Sequence, residues 1–257
     1  MGHMNSLTRA FGILCLAALV AGAAPDKADE KLNSKRYADC MILARDKPER
    51  AYRMASTWGK EGGGHPARHC AAAAMIGMGT PAEAAQRLED LANAVKPDKA
   101  AMRGNLLAQA AGAWMIAAKP QAAYAFQTRA LKLRPRDVEL LIDRSISLAG
   151  LGKYWQAIDD LNRAIDIDPS RTEAFVFRAS AWRRVKSPEL ATEDIERALR
   201  IDPTHPGALL ESGNIRIDSG DKYGARRDWM KIIRLAPWSA SAETARRSLE
   251  NIDVKLK

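Results

Sequence analysis

Residues 138–170 read VELLIDRSISLAGLGKYWQAIDDLNRAIDIDPS. Small residues at Ser145, Ala157 and Ala164, a glycine at Gly152 and a proline at Pro169 each have a physical reading in two helices that lie close across a turn. Ser145 in the first helix and Ala157 and Ala164 in the second are small enough to let the two helices approach closely. Gly152 accepts the backbone conformation such a turn needs. Pro169 ends the second helix, because proline has no N–H to continue the ladder.

The same pattern recurs along the chain. Pro97, Pro135, Pro169, Pro203 and Pro237 are separated by 38, 34, 34 and 34 residues. They close the alike strings NAVKP, LKLRP, IDIDP, LRIDP and IRLAP. Twelve and five places upstream stand Ala85 and Ala92, Ala123 and Ala130, Ala157 and Ala164, Ala191 and Ala198; in the last unit Ala225 keeps the first place and Ile232 takes the second. Repetition at a fixed period means stacked units, each of which buries its apolar face only against its neighbours.

In the clearest unit Gly152, Tyr154, Ala157, Leu161, Ala164 and Pro169 fall in an order that resembles the tetratricopeptide repeat, with Leu141 and Leu148 where that family carries aromatics. The resemblance covers about residues 66–237 and implies an all-α, right-handed superhelical solenoid of helix pairs. Four to five pairs are expected over 66–237, preceded by a degenerate helical repeat over 24–65. Residues 238–257 are expected to form a C-terminal capping helix with Ala242, Ala245, Leu249 and Ile252 on its apolar face. Thr80-Pro81-Ala82-Glu83 reads as a capping box. The run GMGTP is expected to shorten the helix before it.

The stretch TWGKEGGGHPARHC, residues 57–70, sits where the N-terminal repeat meets the next. Gly62, Gly63 and Gly64 read as an inter-repeat turn, with His65 near the N-cap and Pro66 opening the following helix. A phosphate loop would need a following Lys-Ser or Lys-Thr, or a preceding buried strand, and neither is there. His65, His69 and Cys70, with Cys40, offer a rival reading as a metal site, although no paired C-x-x-C supports it.

Residues 1–23 read as a secretory signal peptide: Arg9, the apolar run Phe11 to Val20, then Ala21-Gly22-Ala23 as a cleavage site. Met1-Gly2-His3 has the look of a cloning remnant. Export to the periplasm is expected, with no stable membrane insertion after cleavage. The mature chain then holds Cys40 and Cys70 in an oxidising compartment, on the first helices of consecutive units, and a disulfide between them is predicted.

The formal net charge is +9, spread along the chain and not gathered into a stripe, so nucleic acid is not expected as a partner. No Ser-His-Asp, paired-carboxylate or metal motif assembles, so neither enzyme activity nor a cofactor is expected. The family resemblance implies that a partner protein or peptide lies on the inner wall, formed by set positions of the first helices. On this chain they fall on Asn105 and Met115, then Glu139, Ile142 and Ile146, then Glu173, Val176, Arg183 and Arg184, and finally Asn214. Arg183 and Arg184 are candidates to meet an acidic ligand. Arg144 and Arg178 stand at equal phase with Asp160 and Asp194, which predicts ion pairs within each repeat. The expected function is a non-enzymatic interaction scaffold, for instance in assembly of an envelope complex. A chaperone-like binder of an unfolded exported client, or a metal-binding protein centred on His65, His69 and Cys70, are the alternatives.

Overall fold

A computed structural model of the chain describes residues 27–254; the predicted signal segment lies outside them. Thirteen helices and no strand are found among the described residues. Twelve form antiparallel pairs: α1 (Lys27–Asp46) with α2 (Pro48–Lys60), α3 (Gly64–Gly77) with α4 (Pro81–Ala94), and α5 (Ala100–Ile116) with α6 (Pro120–Leu133). There follow α7 (Val138–Gly150) with α8 (Tyr154–Ile167), α9 (Thr172–Arg184) with α10 (Pro188–Ile201), and α11 (Pro206–Asp218) with α12 (Lys222–Leu235). The thirteenth, α13 (Ala240–Val254), lays Ala242, Ala245 and Leu249 against the last pair.

Each helix packs on the next, and the alanines of the repeat pattern are where the pairs cross: Ala123, Ala130, Ala157, Ala164, Ala191 and Ala198 are all buried. First helices of neighbouring pairs also touch one another, α1 with α3, α7 with α9 and α9 with α11. The stack therefore curves with its first helices inside, as an all-α superhelical solenoid. Its apolar interior is divided into four buried clusters in series, from the Cys40–Ala74 group at the N-terminal end to the Leu209–Leu249 group at the other.

Charged residues reinforce the repeat. Arg144 donates two hydrogen bonds to Asp160, 2.7 and 2.6 Å, and Arg178 makes the same pair with Asp194 at 2.8 and 2.6 Å. Each guanidinium also reaches the second helix of the preceding pair, Arg144 to Thr128 Oγ1 and Arg178 to Asn162 Oδ1. The arginine thus ties its own pair together and to the one before it.

Three local expectations are corrected. The helix after the glycines starts at Gly64, with Gly63 as N-cap, so His65 and Pro66 lie inside its first turn. Gly62 and Gly64 take φ of +90° and +52°, and a Cβ on Gly63 would lie 2.6 Å from Trp58 Cδ1, so the triple glycine combines a left-handed turn with close backbone approach to a buried indole. The helix before GMGTP is not shortened: α3 has 14 residues against 13 in α7. Finally, the Thr80 hydroxyl donates back to the Met75 carbonyl at 3.1 Å and makes no cap bond to α4, so the capping box is not formed.

Five of the turns within pairs use one left-handed residue at the same place: Gly79, Ala118, Gly152, Lys186 and Gly220. Lys186, with φ of 64°, carries a Cβ in a conformation that costs an L-residue roughly 1–2 kcal/mol. Lys186→Gly is expected to raise stability by about 0.5–1 kcal/mol, because relief of that strain exceeds the added freedom of the unfolded chain. Urea titration at constant m-value measures it.

Candidate functional site

The inner wall is uneven along its length. Towards the C-terminal half its charges are used internally. Arg183 donates to Glu211 at 2.6 Å and to Asp218 at 3.2 Å; burial works against its charge, but the two carboxylates hold its pKa above the ordinary arginine value. Arg184 stacks on the Tyr154 ring, 5.4 Å from its centroid, and donates to its hydroxyl. The charge of Arg183 is thus already met by two acids of the same wall, which corrects its reading as a cation waiting for an acidic ligand, whereas Arg184 is bonded to the Tyr154 side chain. Glu139 and Glu173 both meet Arg171, at 2.6 and 3.6 Å, and Asn214 donates to Glu211.

Two expected groove residues are not on the surface. Ile142 and Val176 are 4% and 8% exposed and belong to buried clusters. The cause is the contact between successive first helices, which covers the positions facing the next pair. Ile146 is half-buried beside Phe177, in a cleft of about 90 Å³ that Ala149 and Ser180 also line. Met115 is half-buried and its sulfur accepts a hydrogen bond from Ser147 Oγ.

Cavities of about 370 and 310 Å³ flank Arg183 at the C-terminal half, the second also lined by Asn214, and the wall opens again at its N-terminal end. A cavity of about 300 Å³ is lined by Tyr37 of α1, His65, Pro66 and His69 of α3, Leu91 of α4, and Met102, Asn105, Leu106 and Gln109 of α5. Its floor is apolar and its rim polar. Across it runs one hydrogen-bonded chain: Tyr37 Oη lies 2.8 Å from His69 Nδ1, and His69 Nε2 lies 2.6 Å from Gln109 Oε1. Burial pushes the Tyr37 phenol above its ordinary pKa, which keeps it a neutral donor. Through these two bonds His69 of α3 links Tyr37 of α1 to Gln109 of α5, so the chain bridges three helices. Asn105, the one expected groove residue that lines this cavity, accepts from Arg134.

Directly behind this chain, Cys40 and Cys70 are joined in a disulfide, with Cα atoms 6.1 Å apart and both residues wholly buried. Cys70 follows His69 in α3, and Cys40 is one turn beyond Tyr37 in α1. The bond therefore clamps together the two helices that carry the first two members of the chain. It also takes up both sulfurs, so the reading of His65, His69 and Cys70 as a metal site loses its thiolate. Among the described residues no group of three or more His, Cys, Asp or Glu is gathered to hold a metal ion.

Tyr37, His65, His69 and Gln109 were not anticipated on the inner wall. A signal for His69 is present: it stands twelve residues before Pro81, and twelve before Pro120 falls Ala108, three places after the wall residue Asn105. Each of those prolines opens the second helix of its pair. Counting instead from Pro97 and Pro135, at the ends of the units, puts Ala67 at the first wall position, and Ala67 is buried.

No family model matches the chain. A 59-residue stretch is 36% identical to the SGT1 homolog protein of Oryza sativa subsp. japonica; it takes in 23% of this chain and only 16% of that protein. Among solved structures, YrrB, described as a TPR protein with an unusual peptide-binding site, is similar with a TM-score of 0.56 and 20% identity, over 73% of this chain and 97% of that one. MamA is similar with a TM-score of 0.54 and 16% identity, over 68% and 96%. The Cut9-Hcn1 hetero-tetramer of the APC/C is similar with a TM-score of 0.64 and 12% identity, over 84% and 42%.

Proposed function

The chain has the tetratricopeptide-repeat fold, and from it we propose a non-enzymatic, exported scaffold that holds a partner protein or peptide on its inner wall, anchored in the N-terminal cavity. The observation that carries this is the cavity itself, an apolar floor of about 300 Å³ with polar groups converging on its rim. A partner's apolar side chain fits the floor, and its backbone carbonyls fit the side-chain amide N–H groups of Asn105 and Gln109 on the rim. Likeness to a peptide-binding solenoid supports the class of partner. Binding is favoured over catalysis because both nitrogens of His69 are engaged in positioning bonds. Export is supported by the signal-like segment together with a buried disulfide, which persists in oxidising compartments. An envelope assembly is the setting this reading favours.

The test is site-specific photo-crosslinking in the native host. A crosslinker at Met102 should capture one defined partner, and capture should fall at least tenfold when His69→Ala and Gln109→Ala are combined. A crosslinker at Glu196, on the exposed side of α10, should capture nothing in common with it. The same partner from both positions, or capture indifferent to the double substitution, would place binding elsewhere. N-terminal sequencing of the protein from the host should begin at Ala24 or within a few residues of it; an intact amino terminus in the cytoplasm would remove export from the reading.

A further inference from the structure

The last helix pair carries several exposed apolar side chains on one face. Helix α12 buries Ala225, Trp229 and Ile232. Its opposite face repeats at helical spacing as Tyr223, Arg227, Met230 and Arg234, and continues through Leu235 to Trp238 in the following turn. Tyr223 is 83% exposed, Met230 52%, Leu235 46% and Trp238 96%. A large indole left wholly in water is costly unless something covers it.

That indole is not on a loose end. The turn beneath it is fixed by Ser239, whose amide donates to the Ala236 carbonyl at 3.0 Å and whose hydroxyl accepts from Ala242 N–H. Arg246 adds a bond to the Pro237 carbonyl at 2.8 Å. The backbone carrying Trp238 is therefore held while its side chain stands out.

Charge completes the pattern. Helix α12 carries Lys222, Arg226, Arg227, Lys231 and Arg234, and its single acid, Asp228, is turned to Ser212 and Arg216. Arg227, which also feels the Asp221 carboxylate, and Arg234 are interleaved with the exposed Tyr223 and Met230. Aromatic and aliphatic side chains set among cations along one helix face are suited to the boundary between lipid headgroups and acyl chains, where the rings sit at headgroup level and the cations meet phosphates. No described helix is long and apolar enough to cross a membrane, so the contact would be peripheral.

We propose that the outer face of α12 and the Trp238 turn dock the protein on an anionic phospholipid surface. The face lies on the second helix of its pair, away from the inner wall, so a partner in the N-terminal cavity is left unobstructed. This proposal does not rest on the reading of that cavity.

The experiment is sedimentation of the full chain with vesicles of phosphatidylglycerol and phosphatidylethanolamine, against vesicles of phosphatidylcholine alone. Binding is expected to the first, weakening with salt, and not to the second. Arg227→Glu with Arg234→Glu should weaken it by an order of magnitude or more, since each cation near such a surface contributes about a factor of five. Tyr223→Ser with Trp238→Ser should weaken it comparably at unchanged net charge. All four side chains face solvent, so circular dichroism melts should match the parent. No sedimentation with the anionic vesicles overturns the proposal. So does binding that the aromatic pair leaves intact, or equal binding to polyglutamate, because either would mark a surface for an acidic polypeptide.

Discussion

Arg178→Met should lower the unfolding free energy by about 3 kcal/mol, because it leaves the Asp194 carboxylate buried without its cation. The Asp194 side chain is 8% exposed and Arg178 supplies both of its hydrogen bonds. The figure is set at the lower end for breaking a buried pair because the arginine itself is 20% exposed, so some solvent screening is already present. Arg178→Met combined with Asp194→Leu should recover most of the loss, since a buried pair replaced by apolar side chains of similar volume is close to neutral. Denaturant melts of the two single variants and the double variant measure both effects. If the double variant is as unstable as the single, the arginine contributes chiefly through Asn162 and the Phe175 ring, over which its guanidinium lies at 5.6 Å.

Cys40→Ser with Cys70→Ser should cost a similar amount, about 3–4 kcal/mol, by the chain-entropy estimate for a bond across 30 residues. The loss should be local. The two cysteines belong to the buried cluster of α1, α2 and α3, distinct from the larger cluster that begins in α3 and runs to α9. Hydrogen exchange should therefore quicken in the first three helices while Leu141 and Leu161, wholly buried further along, keep their protection. Because Tyr37 and His69 are carried by the clamped helices, reduction should also weaken partner capture at the N-terminal cavity. Uniform loss of protection over the whole chain would mean that the solenoid unfolds as one unit.

The fold was legible because several positions repeat together: a proline, two alanines and a turn residue at one period leave little choice but stacked helix pairs. The Arg144–Asp160 and Arg178–Asp194 pairs were legible for the same reason, since equal phase in successive units places the same groups opposite each other. The candidate site was only partly legible. Ile142 and Val176 disappear into contacts between neighbouring pairs, and how closely those pairs approach depends on superhelical curvature, which no single unit encodes. His69 was hidden by a change of register: Pro48, Pro81 and Pro120, which open second helices, are 33 and 39 residues apart, and the longer helix α5 takes up part of the difference. Tyr37 lies in α1, outside the stretch over which the repeat is recognisable.

The division of the interior into four clusters in series has a mechanical meaning. A globule with a single core resists deformation as one body, whereas clusters joined end to end behave as elastic links, each bending slightly against the next. The curvature of such a stack is a soft coordinate. In such a stack a change of angle at one link is passed on only through its neighbours.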